Sequence, residues 1–245
     1  MSRLNKNKII ALGFKAVFWF LVLYFLYWAY SNGYFDILFN QTDEFMTLLR
    51  QHMTLVALSS TFALLIALPV GIFVTRPAFR KTEWFFMNAA NLGQTIPTIA
   101  ILAIVMSYLG IGYQPAVFAL TVFSILPILR NTVAGISSVD SEVLDSAKGM
   151  GLTPFQILMK IELPNASMPI IAGIRTAIVM NVGTAALAYL VGGGGLGDFI
   201  FTGIMLRSNE YLMSGAVPVT VLAILIDQVL RVVEKVVVPR SLRTT

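Results

Sequence analysis

Residues 53–75 read MTLVALSSTFALLIALPVGIFVT, without one charged side chain. A helix rises 1.5 Å per residue, so about 20 such residues cross the roughly 30 Å hydrocarbon core of a bilayer. Working outward from this stretch, five further apolar runs of comparable length appear, giving candidate spans at about 9–31, 53–75, 86–109, 114–136, 166–191 and 211–235. Across the 245 residues 57% are hydrophobic and 12% charged, against about 25% charged in soluble domains. The expected fold is all-α, a polytopic membrane protein with about six transmembrane helices, and a soluble enzyme is excluded. The absence of cysteine and the single histidine, His52, remove disulfides, thiolate chemistry and a His-rich metal site, so no metal and no catalytic residue is expected.

The net charge of +5 does not read as a nucleic-acid surface, because the basic residues sit in short connections instead of on one soluble face. Thirteen of the seventeen Lys and Arg residues fall on one side of a six-span arrangement: Arg3, Lys6, Lys8, Arg76, Arg80, Lys81, Arg130, Lys148, Lys160, Arg231, Lys235, Arg240 and Arg243. The positive-inside rule makes that side cytoplasmic and places both termini there. The first run follows three basic residues and ends among Tyr24, Tyr27, Trp28, Tyr30 and Tyr34, rings suited to the headgroup level. It reads as an anchor; a cleaved signal peptide is the rival, but the run is long and no small-residue cleavage site follows. Residues 1–50 are thus expected to form an anchor with an outer loop, and 51–240 the main transmembrane domain.

The longest cytoplasmic connection, 137–165, is the informative one. Residues 138–164 read SVDSEVLDSAKGMGLTPFQILMKIELP. Ser138 and Ser141, with Glu142 following, suggest caps for a helix over about 140–149. Gly149 and Gly151 end it, and Thr153-Pro154-Phe155 restart a second helix that Leu163-Pro164 stops. The pattern is a helical hairpin suited to docking, with an inert interfacial linker as the alternative.

On this segment the chain resembles the membrane-spanning subunits of binding-protein-dependent ABC importers. Their signature is Glu-Ala-Ala, three residues, Gly, nine residues, Ile-x-Leu-Pro. Here Asp145-Ser146-Ala147 is followed by three residues, Gly151, nine residues and Ile161-Glu162-Leu163-Pro164. Asp145 and Ser146 depart from the pattern; both are conservative for a helix whose role is shape complementarity. The resemblance implies the type I importer permease fold, a coupling helix over 142–152 that docks on a separate ABC ATPase, and coupling roles for Glu142, Asp145, Ser146, Ala147, Gly151, Ile161, Leu163 and Pro164. It also implies a second permease subunit, identical or paralogous, an extracytoplasmic solute-binding protein that makes most of the solute selection, and a place in the bacterial cytoplasmic membrane.

Further segments are similar to the osmoprotectant branch, importers of glycine betaine, carnitine, choline and related quaternary amines: Val74-Thr75-Arg76-Pro77, Gly93-Gln94-Thr95-Ile96-Pro97, Ala172-Gly173-Ile174-Arg175-Thr176, Asn181-Val182-Gly183-Thr184-Ala185 and Gly192 to Gly197. The resemblance covers roughly 50–235, and permeases for methionine or other amino acids share the plan. A quaternary ammonium is held best by aromatic faces, yet no cage can be picked from 28 aromatic residues.

Within the spans, Gln94, Thr95 and Pro97 mark a helix break of the kind transporters place beside solute; packing of Gln94 and Asn91 against neighbouring helices is the plainer alternative. Pro69 and Pro127 read as simple kinks. Asp227 and Arg175 lie at membrane depth, where charges must pair or face the interior; they could pair with each other, or Arg175 could snorkel to the inner surface. Asn181 and Thr184, three apart, are expected on one helix face and so along a pathway, with Asp227 a further candidate. Gly192, Gly194 and Gly197 fit a dinucleotide fingerprint only formally, since no βαβ unit surrounds them. The resemblance instead puts Gly194, Gly195 and Gly197 near an outer gate.

The chain contains no G-x-x-x-x-G-K-[ST] loop, so it is expected to bind no cofactor, with ATP used by the partner. An ion-coupled carrier, with Asp227 binding the ion and the hairpin inert, is the alternative from a different class. A membrane enzyme lacks support, since neither H-E-x-x-H nor G-x-S-x-G occurs and His52 has no evident partner.

Overall fold

The computed structural model describes residues 2–238; Arg240 and Arg243 lie outside the described residues. Helix α1 spans Ser2–Ser31, a short α2 Asp36–Asn40, and α3 Thr42–Val74. The opening stretch 53–75 is therefore the inner part of a longer helix. Of α1 from Ile10 onward nearly every side chain is exposed, only Ala29 being buried, which suits a helix surrounded by lipid.

Helices α4 (Glu83–Thr95) and α5 (Thr98–Leu109) meet at a 95° bend and together are long and apolar enough for one span. The cause is local. Proline forces the preceding residue out of the helical region, and Ile96 is extended at φ −65°, ψ 126°. Helix α6 (Tyr113–Ser137) continues unbroken past Pro127, as α3 does past Pro69.

The hairpin expected on the cytoplasmic side, here called inner, comprises α7 (Ser141–Gly149) and α8 (Pro154–Ile157). The expected stop at Leu163-Pro164 is not there. A π turn over Leu158–Glu162 leads directly into α9 (Leu163–Thr184), and a 3₁₀ segment, Ala185–Val191, extends it outward. Pro164 sits in the first turn of α9, where its missing N–H is tolerated, and the wider π register relieves the clash with the preceding carbonyl. Pro154–Val191 is thus one apolar helical rod of 38 residues.

Residues 192–210 do not form the simple outer turn that the sequence suggested. They contain α10 (Gly197–Leu206), folded back against α11 (Asn209–Val237). Ser208 caps α11, its Oγ accepting from Tyr211 N at 3.4 Å. Helix α6 is the hub, flanked by α3, α4, α5 and α9. Lipid gives apolar side chains no reason to prefer each other, so membrane helices gain by close backbone approach at small residues. Gly71 abuts Thr132, Gly135 meets Ala166 and Pro169, and Gly173 lies against the Pro127 carbonyl and Asn131.

Candidate functional site

The hairpin is set by caps. Asp140, not Ser138 or Ser141, caps α7: its carboxylate accepts from Glu142 N at 2.9 Å. The acid is the better cap because its charge also complements the helix N-terminus. At the other end Gly151 adopts φ +79°, and its N–H donates to Lys148 O at 2.9 Å while Leu152 N donates to Ala147 O at 3.2 Å. A Cβ there would meet no atom, so the demand on Gly151 is conformational, not steric. Thr153 and Gln156 complete a capping box, with Gln156 N donating to Thr153 Oγ1 (3.3 Å) and Thr153 N to Gln156 Oε1 (2.8 Å).

Of the residues expected to couple, Glu142, Asp145, Ser146 and Gly151 are exposed, Ala147 is fully buried at the hairpin's inner face, and Ile161, Leu163 and Pro164 are half-buried at its base. Val143, Met150, Phe155 and Met159 also present apolar surface.

One residue of the base was missed. Glu162 is buried and forms an ion pair with Arg76 at the inner end of α3, Nη2 to Oε2 2.6 Å. Arg76 also donates through Nε to Ile72 O (3.2 Å) and through Nη2 to Thr75 Oγ1 (3.1 Å). The available signal was a carboxylate inside the otherwise apolar Ile161–Pro164 motif.

Arg175 and Asp227 do meet, Nε to Oδ1 3.4 Å, but the shorter contact of Arg175 is to Glu234, Nη1 to Oε2 2.5 Å. Asp227 also accepts from Arg231 Nε at 2.8 Å. Arg175 thus ties α9 to two acids on the inner half of α11, and Asp227 is occupied by cations of the protein itself. Among the described residues no group of three His, Asp or Glu side chains is placed to hold a metal.

The polar residues at the α4–α5 break face outward to different degrees: Thr95 and Pro97 are exposed, Gln94 half-buried. Thr95 Oγ1 donates to Asn91 O at 2.8 Å, and Asn91 Oδ1 in turn accepts from Arg130 Nη2 at 2.9 Å. Asn91 therefore follows the packing alternative, bonding a neighbouring helix. Asn181 and Thr184 do not share an open face. Thr184 is half-buried and donates to Met180 O at 2.9 Å. Asn181 is wholly buried, its Nδ2 donating to Ser59 Oγ (2.7 Å) and Ser60 Oγ (3.1 Å). Three residues apart on a helix still differ by a sizeable rotation, enough to turn Asn181 onto α3.

At the outer end His52 is not the partnerless surface group expected. It is fully buried, and since a carbonyl only accepts, its Nε2 donates to Val182 O at 2.9 Å. Next to it Gln51 Oε1 accepts from Gly195 N at 3.1 Å. Gly194, Gly195 and Gly197 are packed here at backbone distance: side chains at Gly194 and Gly195 would meet Gln51 and His52, and one at Gly197 would overlap the Ala186 carbonyl.

Residues 67–243 match the family described as binding-protein-dependent transport system inner membrane component. The chain is 44% identical over 193 residues to the choline transport system permease protein OpuBB of Bacillus subtilis, covering 79% of this chain and 88% of that protein. It is 40% identical over 219 residues to the osmoprotectant import permease protein OsmY of Salmonella typhimurium, covering 89% and 91%. Its fold matches a chain of the MetNI methionine ABC transporter in an inward-facing conformation with TM-score 0.73 at 25% identity, over 82% of this chain and 99% of that one.

Proposed function

The chain belongs to the inner membrane components of binding-protein-dependent transport systems, and from that premise we propose that it is the permease subunit of an ATP-driven importer of quaternary amines. The observation that carries the reading is the inner hairpin. It is stiffened by two caps, exposes apolar and polar side chains, and continues into α9 without a joint. A rigid projection of this kind converts the opening and closing of a docked partner into rigid-body motion inside the membrane. Glu142, Asp145, Ser146 and Gly151 form the docking surface, Ala147 holds the hairpin together, and Ile161, Leu163 and Pro164 carry it into the membrane.

The partner supplies the chemistry. With no phosphate-cradling loop in this chain, ATP is bound and hydrolysed by a separate ABC ATPase. A solute-binding protein delivers solute from outside, and a second permease, identical or paralogous, supplies the other half of the pathway. Gln94, Thr95 and Pro97, together with Thr184, contribute to the pathway from this half, while Gly194, Gly195 and Gly197 close its outer end. Both termini lie in the cytoplasm. Quaternary amines are favoured as solute over methionine because 44% and 40% identity to choline and osmoprotectant permeases outweigh 25% to the methionine transporter. An ion-coupled carrier is disfavoured because Asp227 is already saturated by Arg175 and Arg231.

The test is uptake of labelled glycine betaine, carnitine, choline, methionine and proline into cells expressing the chain with its ATPase and binding protein. Uptake of a quaternary amine that disappears with Gly151→Trp, the protein remaining in the membrane, is the expected result. Uptake that persists with Gly151→Trp and with an inactive ATPase would overturn ATP coupling.

A further inference from the structure

Three arginines in or beside the inner halves of the long helices are matched by carboxylates. Arg76 pairs with Glu162, Arg175 with Asp227 and Glu234, and Arg231 with Asp227. Arg130 is exposed, lies seven residues before the end of α6 and donates to a neutral side chain, Asn91. That places it about 10 Å of helical rise from the inner end. Among the described residues no carboxylate pairs with it.

Its surroundings are an exposed polar stripe between two helices. On α6 the inner-half residues open to the outside are Arg130, Ala134 and Ser137, at the i, i+4, i+7 spacing of one stripe. One flank of the stripe is α4, through the Asn91 bond. The other is α9, whose Gly173 packs on Pro127 and Asn131, while α3 covers the far side of α6 at Leu129 and Thr132. Asn88 and Thr95 on α4 and Thr176 on α9 are exposed polar residues of the two flanking helices. Facing a charged guanidinium and these side chains into lipid is costly, so the stripe belongs against water or protein.

We infer that Arg130 is a binding residue for the carboxylate of a zwitterionic quaternary amine on its way through the inner half of the pathway. The inference rests on the reading of the chain as a quaternary-amine permease and deepens it. A guanidinium braced through one N–H keeps the rest of its planar fork free, and that fork matches a carboxylate in two parallel hydrogen bonds. Its uncompensated charge attracts the anionic end of a betaine and repels a solute that is only a cation, so one residue biases passage by the presence of a carboxylate.

The experiment uses the complete importer in proteoliposomes, with wild type, Arg130→Gln and Arg130→Lys, and compares maximal uptake of glycine betaine with that of choline. Arg130→Gln lowers the betaine-to-choline ratio roughly ten-fold, the scale of one charge-assisted contact, while Arg130→Lys, which keeps the charge, retains most of it. If the binding protein delivers only one of the two, the rate falls in the Gln variant for glycine betaine and does not fall for choline. An equal fall for both solutes, an unchanged ratio, or loss of the ATPase subunit on copurification from the Gln variant overturns the inference. Wild-type importer that carries neither solute is the separate failure of the functional reading itself, visible before any variant is compared.

Discussion

The outer end of α9 is gripped by short buried hydrogen bonds and close backbone packing, whereas its inner end is moored by charge. Outside, Val182 O receives His52, Asn181 reaches Ser59 and Ser60, and the glycines of 193–197 lie directly against Ala186, Ala188 and His52. Inside, the tethers are long side chains, Arg76 to Glu162 and Arg175 to Glu234 and Asp227. Close-packed backbone has no slack, because interiors of protein density are bistable rather than stretchable. Ion pairs between flexible side chains tolerate small displacements. The same rod therefore has a fixed outer end and a yielding inner one, an arrangement that suits the lever proposed for the hairpin.

The sharpest way to break the outer grip is Gly197→Ala, whose new methyl group would overlap the Ala186 carbonyl, an atom that cannot move aside. The expected cost is about 3 kcal/mol or more, seen as loss of monodisperse protein after detergent extraction. Wild-type yield and melting temperature would show that the outer packing is looser than the geometry indicates.

At the inner end Glu162→Gln leaves Arg76 without its charge partner in a largely buried setting. Breaking such a pair costs about 3 kcal/mol, somewhat less here because Arg76 retains a quarter of its side-chain exposure. Uptake should fall while the ATPase remains bound, and the exchange Arg76→Glu with Glu162→Arg should restore part of it. Failure of both the single change and the exchange to alter uptake would remove the mooring from the mechanism.

The contrast between the two ends also explains what the sequence could reveal. Uninterrupted apolar runs, the Gly151 spacing and the proline after Ile96 are local signals, and the spans, the hairpin and the 95° break follow from them. The Arg175–Asp227 contact was legible because an isolated charge in an apolar run demands a partner. Helix α10 was not, since glycines at 192–197 read as a turn although they serve close packing against Ala186 and Ala188. Leu163-Pro164 read as a stop because the π turn that lets the helix pass leaves no composition signal. The Arg76–Glu162 pair and the burial of Asn181 depend on which helices lie side by side, and periodicity within one helix does not carry that.

A milder probe of the outer grip is Asn181→Leu. The amide bridges α9 to two hydroxyls of α3, but Ser59 Oγ also donates to Leu55 O at 2.6 Å and so keeps a partner. Interhelical hydrogen bonds of this kind contribute about 0.6 kcal/mol on average and rarely above 2. A melting temperature lowered by a few degrees, with uptake retained, is expected; abolished uptake in a folded protein would mean that Asn181 serves solute rather than packing.

The smallest effect belongs to Asp145, and there the comparison turns from the two ends of α9 to the two faces of α7. Lys148 Nζ lies 2.8 Å from Asp145 Oδ1, yet the side chains are 64% and 72% exposed, and an i,i+3 pair in water contributes little. Ala147, two residues on, is fully buried and holds the hairpin closed. Asp145→Ala should therefore change the thermal stability of the isolated permease by no more than about 0.5 kcal/mol. Its effect, if the hairpin docks as proposed, appears in the affinity for the ATPase, measurable by titrating the purified ATPase onto detergent-solubilised permease. A variant that melts as wild type but binds the ATPase several-fold more weakly separates the docking face from the packed one. Equal binding would move the docking contacts to Val143, Met150 and Phe155.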